Sequence, residues 1–135
     1  NFREAEAQPW FDRAIADADY ASPAAALANA ASCAFRVGQY GRVDEELRRA
    51  LLLDPGNAVA LETMAANQYR LGQYFDARAF VERRLAAAPA TASVLQLAMQ
   101  IESGLGDMVA ARRYSQRLQT EFPPAADANP GAGKQ

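Results

Sequence analysis

The chain has no histidine and a single cysteine, Cys33. Without histidine it lacks the side chain that most often moves protons near neutral pH and most often ligates metals. One cysteine excludes an internal disulfide and any zinc site built from clustered thiolates. Cationic charge is not in excess either: the formal net charge is −2, and of the 14 basic residues all but Lys134 are arginine, which reads as coding bias. The balance leaves no basic footprint for nucleic acid. No apolar run reaches the roughly 18 residues that a membrane-spanning helix requires. The opening Asn1-Phe2-Arg3-Glu4-Ala5-Glu6 is polar and does not have the layout of an export signal. There is no P-loop, nucleophile elbow or HExxH zinc motif, and no catalytic residue, cofactor or metal is expected.

What the chain does have is a period. Gly38, Gly72 and Gly106 lie 34 residues apart, as do Pro55, Pro89 and Pro123, and as do Tyr40, Tyr74 and Met108. Leu27, Leu61 and Leu95 keep the same step, and so do Ala31, Ala65 and Met99. A 34-residue unit with small residues in one segment and a closing proline is the signature of a helix–turn–helix repeat. Such repeats cannot bury their apolar faces alone, so they stack, and the stack offers a surface for another polypeptide instead of a built-in active site. The length of 135 residues fits one domain, half of the residues are apolar, and alanine is the commonest, which favours helices that approach closely.

The period sets the expected organisation. Residues 1–23 form the second helix of a truncated repeat plus a connection, with Phe2, Trp10 and Phe11 as apolar contacts and Pro9 as a kink. Complete repeats follow at 24–57, 58–91 and 92–122, and residues 123–135, rich in Pro, Gly and Ala, form a flexible tail. Because the first unit lacks its first helix, the chain is expected to be a fragment, with repeats and any export signal upstream. In each unit, helix A occupies roughly the first 14 positions and helix B roughly positions 17 to 30. Ser22, Asn57 and Thr91 are the expected N-caps of the A helices, the three glycines end them, and the prolines stop the B helices.

Helical spacing assigns the core to Leu27, Ala30, Ala31, Ala34, Leu61, Met64, Ala65, Leu95, Ala98 and Met99 on the A helices. On the B helices it assigns Tyr40, Val43, Leu47, Ala50, Leu51, Tyr74, Ala77, Val81, Leu85, Ala111, Tyr114 and Leu118. Asp44-Glu45-Glu46 with Arg48-Arg49 reads as a solvated face, Glu45 pairing with Arg49. Cys33 follows Ala30-Ala31-Ser32, a loose imitation of a lipoprotein cleavage box, but it lies inside a periodic helix and reads as a small packed thiol.

The concave face falls to helix A positions outside the A–B seam: Ala28, Ser32, Phe35 and Arg36, then Glu62, Ala66, Tyr69 and Arg70, then Gln96, Gln100 and Ser103. The pairs Phe35/Arg36 and Tyr69/Arg70 recur one unit apart. Either they grip a peptide by ring packing and guanidinium hydrogen bonds, or the rings are packing residues and the arginines are solvated. The partner-binding candidates are Phe35, Arg36, Glu62, Tyr69, Arg70, Gln96 and Gln100. A carboxylate clamp of the kind found in chaperone-binding repeats needs matched Lys and Asn positions, which Ala28, Ser32 and Thr63 do not supply.

These positions resemble the tetratricopeptide repeat: Leu27/Ala31/Gly38/Tyr40/Leu47/Ala50/Pro55, then Leu61/Ala65/Gly72/Tyr74/Ala77/Pro89, and more weakly Leu95, Gly106, Ala111, Leu118 and Pro123. Arg84 departs from the pattern, standing where a small apolar residue is usual, and suggests local exposure of its helix. A narrower resemblance is carried by Tyr20-Ala21-Ser22-Pro23, Ala31-Ser32-Cys33-Ala34-Phe35-Arg36-Val37-Gly38, Arg83-Arg84-Leu85-Ala86-Ala87-Ala88-Pro89 and Arg117-Leu118-Gln119-Thr120-Glu121-Phe122-Pro123. These look like the carboxy-terminal part of the type IV pilus biogenesis and stability proteins, the pilotins of PilF/PilW type. The resemblance implies an all-α, right-handed superhelical stack, an α-solenoid. It also implies a non-enzymic lipoprotein on the periplasmic face of the outer membrane, anchored through a lipid outside this chain. Its partner would be the pilus secretin, whose localisation and assembly it assists. The alternatives are a generic adaptor or co-chaperone module, and the regulatory repeat segment of a larger enzyme such as a glycosyl- or sulfotransferase.

Overall fold

The computed structural model describes residues 22–125, which hold six α-helices and, among the described residues, no strand. They are α1 (Pro23–Arg36), α2 (Val43–Leu53), α3 (Ala58–Arg70), α4 (Tyr74–Ala87), α5 (Ala92–Leu105) and α6 (Met108–Glu121). The expected helix around Trp10 and the tail from residue 126 lie outside the described residues. Side-chain oxygens start the A helices as their spacing predicts. Ser22 Oγ accepts from the Ala25 amide at 3.0 Å, Asn57 Oδ1 from Ala60 at 2.9 Å and Thr91 Oγ1 from Val94 at 3.3 Å. Each bond satisfies an amide that the first turn leaves without an intrahelical partner. Asp107 caps α6 in the same way, on the Ala110 amide at 3.1 Å, a cap that the sequence analysis did not single out.

The A helices end on a repeated piece of backbone. Gly38, Gly72 and Gly106 have φ of 79°, 78° and 78°, in the left-handed region that a side chain disfavours. The amide after each glycine reaches back five residues: Gln39 to the Ala34 carbonyl at 2.8 Å, Gln73 to Gln68 at 2.8 Å and Asp107 to Glu102 at 2.9 Å. This 6→1 bond closes a Schellman turn and sends the chain back along the helix just completed. α2 begins at Val43, three residues after Tyr40, whereas α4 and α6 begin at Tyr74 and Met108 themselves.

The described chain falls into two compact units, one ending at Pro89 and one starting at Ala90. In the first, α1 packs on α2 and α3, α2 on α3, and α3 on α4. Its core joins Leu27, Ala28, Ala30, Ala31 and Ala34 of α1 to Val43, Leu47 and Ala50 of α2 and to Ala60 and Met64 of α3, with Phe35, Leu51 and Phe80 packed against it. Alanines on α1 let the large residues of α2 and α3 close the gap, the small-into-large arrangement that dense packing needs. In the second unit, α5 packs on α6 and buries Val94, Leu95, Ala98 and Ile101; Ala111 is the buried residue of α6.

Several side chains sit differently from expectation. Tyr40 is 37% exposed, because its ring lies at the A–B corner and not in the core. Met99, Leu51, Tyr74, Leu85, Tyr114 and Leu118 are half-buried. Ala28 is fully buried, since α1 meets both α2 and α3. Glu46 is 1% exposed in what reads as a solvated run, and two arginines reach it: Arg42 at 3.3 Å and Arg49 at 3.2 Å. Arg49 thus pairs with Glu46 and not with Glu45, while Arg48 pairs with Asp44 at 2.8 Å.

Arg84 overturns its reading most completely. It is 4% exposed, not solvated. Its Nη1 donates to the Ala88 carbonyl at 3.0 Å and its Nη2 to the Pro89 carbonyl at 3.2 Å, and its Nε lies 3.7 Å from a Glu62 carboxylate oxygen. The guanidinium therefore satisfies carbonyls past the end of α4, where a small apolar residue would leave them without that partner.

Two stability measurements check this packing. Leu47→Ala should lower unfolding free energy by about 2–5 kcal/mol, read from the urea midpoint, because Leu47 is fully buried; an unchanged midpoint contradicts its place in the core. Arg84→Ala should cost about 1–3 kcal/mol through lost charge-assisted hydrogen bonds, and Arg84→Lys should recover only part of it. A neutral Arg84→Ala would show that the carbonyl contacts contribute nothing.

Candidate protein-binding face

On α1 the residues that are not buried include Asn29, Ser32, Cys33, Phe35 and Arg36; on α3 they include Val59, Glu62, Ala66, Tyr69 and Arg70. Both sets lie at helical spacing on one side of their helix, because the other sides meet α2 and, for α3, α4. α1 and α3 are in contact, so the two stripes belong to one surface of the first unit. Gln96 and Gln100 are exposed on α5 in the second unit.

The A–B corners of the first unit carry paired rings. Phe35 and Tyr40 have centroids 5.5 Å apart and inclined at 60°. Tyr69 and Tyr74 repeat the arrangement at 5.4 Å and 38°. Both separations suit tilted aromatic pairs. The third repeat has Ser103 and Met108 at the corresponding positions, so no ring pair forms there. Phe35 and Tyr69 are half-buried, and Phe35 also packs against the core. The rings thus act as packing residues and keep an open edge as well.

The arginines beside these rings are not equivalent. Arg36 is exposed, and its Nη2 approaches the Cys33 Sγ at 3.7 Å. Cys33 itself is half-buried and free of any disulfide. Arg70 is exposed and yet fixed. Its Cζ stands 3.7 Å from the Tyr40 ring centroid, within cation–π range, and its Nε and Nη2 donate to Asn67 Oδ1 at 3.2 and 2.9 Å. Arg70 is among the residues the sequence pointed to; Asn67, which is 2% exposed, is not. Its signal was a polar amide 34 residues after Cys33, at a place where the unit below carries a thiol. Glu62, eight residues before Arg70 on α3, faces Arg84 at 3.7 Å and is not a lone carboxylate.

Among the described residues no group of His, Cys, Asp and Glu could hold a metal ion. The clear pKa displacements lie in ion pairs on the B helices. The hydrogen bond to Asp44 raises Arg48, the hydrogen bond to Glu121 raises Arg117, and the hydrogen bond from Arg117 holds the Glu121 carboxyl below its ordinary value. Among the described residues no helix is long and apolar enough to cross a membrane.

No protein-family model matches the chain, and no curated protein sequence matches it. A solved structure does: PilW, described as a widely conserved type IV pilus biogenesis factor. Its likeness has a TM-score of 0.72 and 31% sequence identity, and it covers 90% of this chain and 56% of that one. The chain therefore spans about half the length of the protein it matches. In sequence and in fold it resembles PilW, and its paired helices turned by left-handed glycines make it an all-α protein of tetratricopeptide-like, solenoid-type repeats.

Proposed function

We propose that this chain is a non-enzymic protein-binding module of the type IV pilus machinery, acting as a pilotin. Its task in this reading is to assist the pilus secretin in reaching the outer membrane and multimerising there. A lipid anchor outside the chain would hold it on the periplasmic face. One observation carries the reading: the likeness to PilW, at 31% identity across nine-tenths of the chain. On the first unit the partner-binding face is assigned to Phe35, Arg36, Glu62, Tyr69 and Arg70, and on the second, taken by itself, Gln96 and Gln100 are the candidate contacts. The first five share a surface of α1 and α3, and rings and guanidinium groups are the side chains that most often dominate protein interfaces.

The test uses the full-length gene in its own cell. Deleting it should remove the heat-resistant secretin multimer from outer-membrane fractions, and the wild-type gene should restore it. Complementation with Phe35→Ala plus Arg36→Glu should restore less multimer, and the purified variant should capture less secretin while keeping its helical circular dichroism. Arg36→Glu alone, at an exposed position, controls for the packing lost with Phe35. Normal secretin multimers in the deletion strain would overturn the pilotin reading. A catalytic domain in the same open reading frame would favour a regulatory repeat segment instead.

A further inference from the structure

Arg70 is an exposed arginine whose conformation has been fixed without an acid. Arg48, Arg49 and Arg117 point to carboxylates, on Asp44, Glu46 and Glu121, and Arg83 and Arg84 donate to backbone carbonyls. Arg70 has no carboxylate within ion-pair distance among the described residues. A neutral amide and an aromatic ring hold it instead: Asn67 Oδ1 accepts from its Nε and Nη2, and its Cζ stands over the Tyr40 ring, 3.7 Å from the centroid. Asn67 is 2% exposed, so the side chain that orients the guanidinium is itself fixed in the interior.

Among the described residues this arrangement occurs once. One repeat earlier, Arg36 has Cys33 where Arg70 has Asn67; one repeat later, residue 104 is glycine. A guanidinium carries five N–H donors on a rigid plane. Asn67 occupies the edge formed by Nε and Nη2. The edge formed by Nη1 and the second Nη2 hydrogen keeps two parallel donors, the pattern that a carboxylate accepts in bidentate fashion. An unrestrained arginine side chain loses rotamer entropy when it is immobilised; here that cost has been met in the unbound protein. Two apolar side chains near it in sequence, Leu71, the next residue, and Val37, three before Tyr40, are both exposed.

We infer that Arg70, held by Asn67 and Tyr40, is a preformed receptor for one aspartate or glutamate side chain in a partner's polypeptide segment, with an apolar neighbour of that acid resting on Leu71 or Val37. The inference rests on reading the chain as a protein-binding module, and it assigns the partner's chemistry. A carboxylate arriving here displaces solvent from two aligned donors and meets no competing acid. The held geometry favours an acid over its amide, because an amide presents only one acceptor oxygen to the two donors.

The experiment follows the Arg70 Nε–Hε resonance of the 135-residue chain by NMR. The resonance is assigned by its loss in Arg70→Lys. The probes are the blocked peptides Ac-Leu-Asp-Phe-NH2 and Ac-Leu-Asn-Phe-NH2, with sodium acetate as the simple-anion control, all at constant ionic strength. The aspartate peptide should shift the resonance saturably and bind about tenfold tighter than the asparagine peptide or acetate. Asn67→Ala should weaken it several-fold, whereas Tyr40→Phe, which keeps the ring, should leave it unchanged. Backbone amide spectra report whether each variant is folded. Equal responses to the acid and the amide, a response to acetate as strong as to the peptide, or no saturable shift would each overturn the inference. Its failure is distinct from failure of the pilus reading: a strain without secretin defects would remove the pilotin role and leave the peptide titration standing.

Discussion

A helix that must reverse direction within a few residues meets a steric limit. The 6→1 hydrogen bond that closes its last turn requires a residue with positive φ, and a Cβ there crowds the following carbonyl. This chain meets the limit at Gly38, Gly72 and Gly106, with nearly identical dihedrals. No heavy atom lies within 4 Å of where a Cβ would stand on any of the three, so the requirement is conformational and not one of space. The rest depends on that reversal. It lays each B helix back along its A helix, so that Leu47 and Val43 meet the alanines of α1, and it sets the ring pairs Phe35–Tyr40 and Tyr69–Tyr74 at the corners.

The reversal also creates the surface. With α2 and α4 covering their inner sides, α1 and α3 keep one stripe each in the open. Rigid helices, not loops, carry that stripe, and rigid elements hold binding groups more accurately. Asn67 and Tyr40 then take one arginine out of its usual conformational averaging. Tyr40 comes from the turn of one hairpin, and Arg70 and Asn67 come from the A helix of the next. The site is therefore a consequence of two repeats packing together.

Much of this was legible in the sequence, and the misses share a cause. The period exposed the glycine turns, the prolines and the three A-helix caps, because each of these is a local requirement of backbone geometry. Leu27, Leu47, Leu61 and Val81 were legible as core because apolar residues at helical spacing have one plausible destination. Arg84 was misread because a long polar side chain can be buried when carbonyls wait for it past a helix end, and the positions of those carbonyls are tertiary information. Glu46 was misread for a similar reason: two arginines from its own helix and turn make its burial tolerable. Tyr40 looked like core by period, but the stacked guanidinium of Arg70 gives its exposed face a partner. Asn67 passed unnoticed because nothing local marks an amide that orients a side chain three residues on.

Semisynthesis offers the most direct check on the turn as the governing constraint. Gly72 can be replaced by L-alanine and, separately, by D-alanine, and the urea midpoints compared with that of the parent. A D-residue favours positive φ for the same steric reason that an L-residue avoids it. The L-alanine protein should lose about 1–2 kcal/mol, and the D-alanine protein should match or exceed the parent, since its unfolded chain has less freedom to lose. Equal destabilisation by both, or none by L-alanine, would contradict the claim that a left-handed backbone at this position organises the fold.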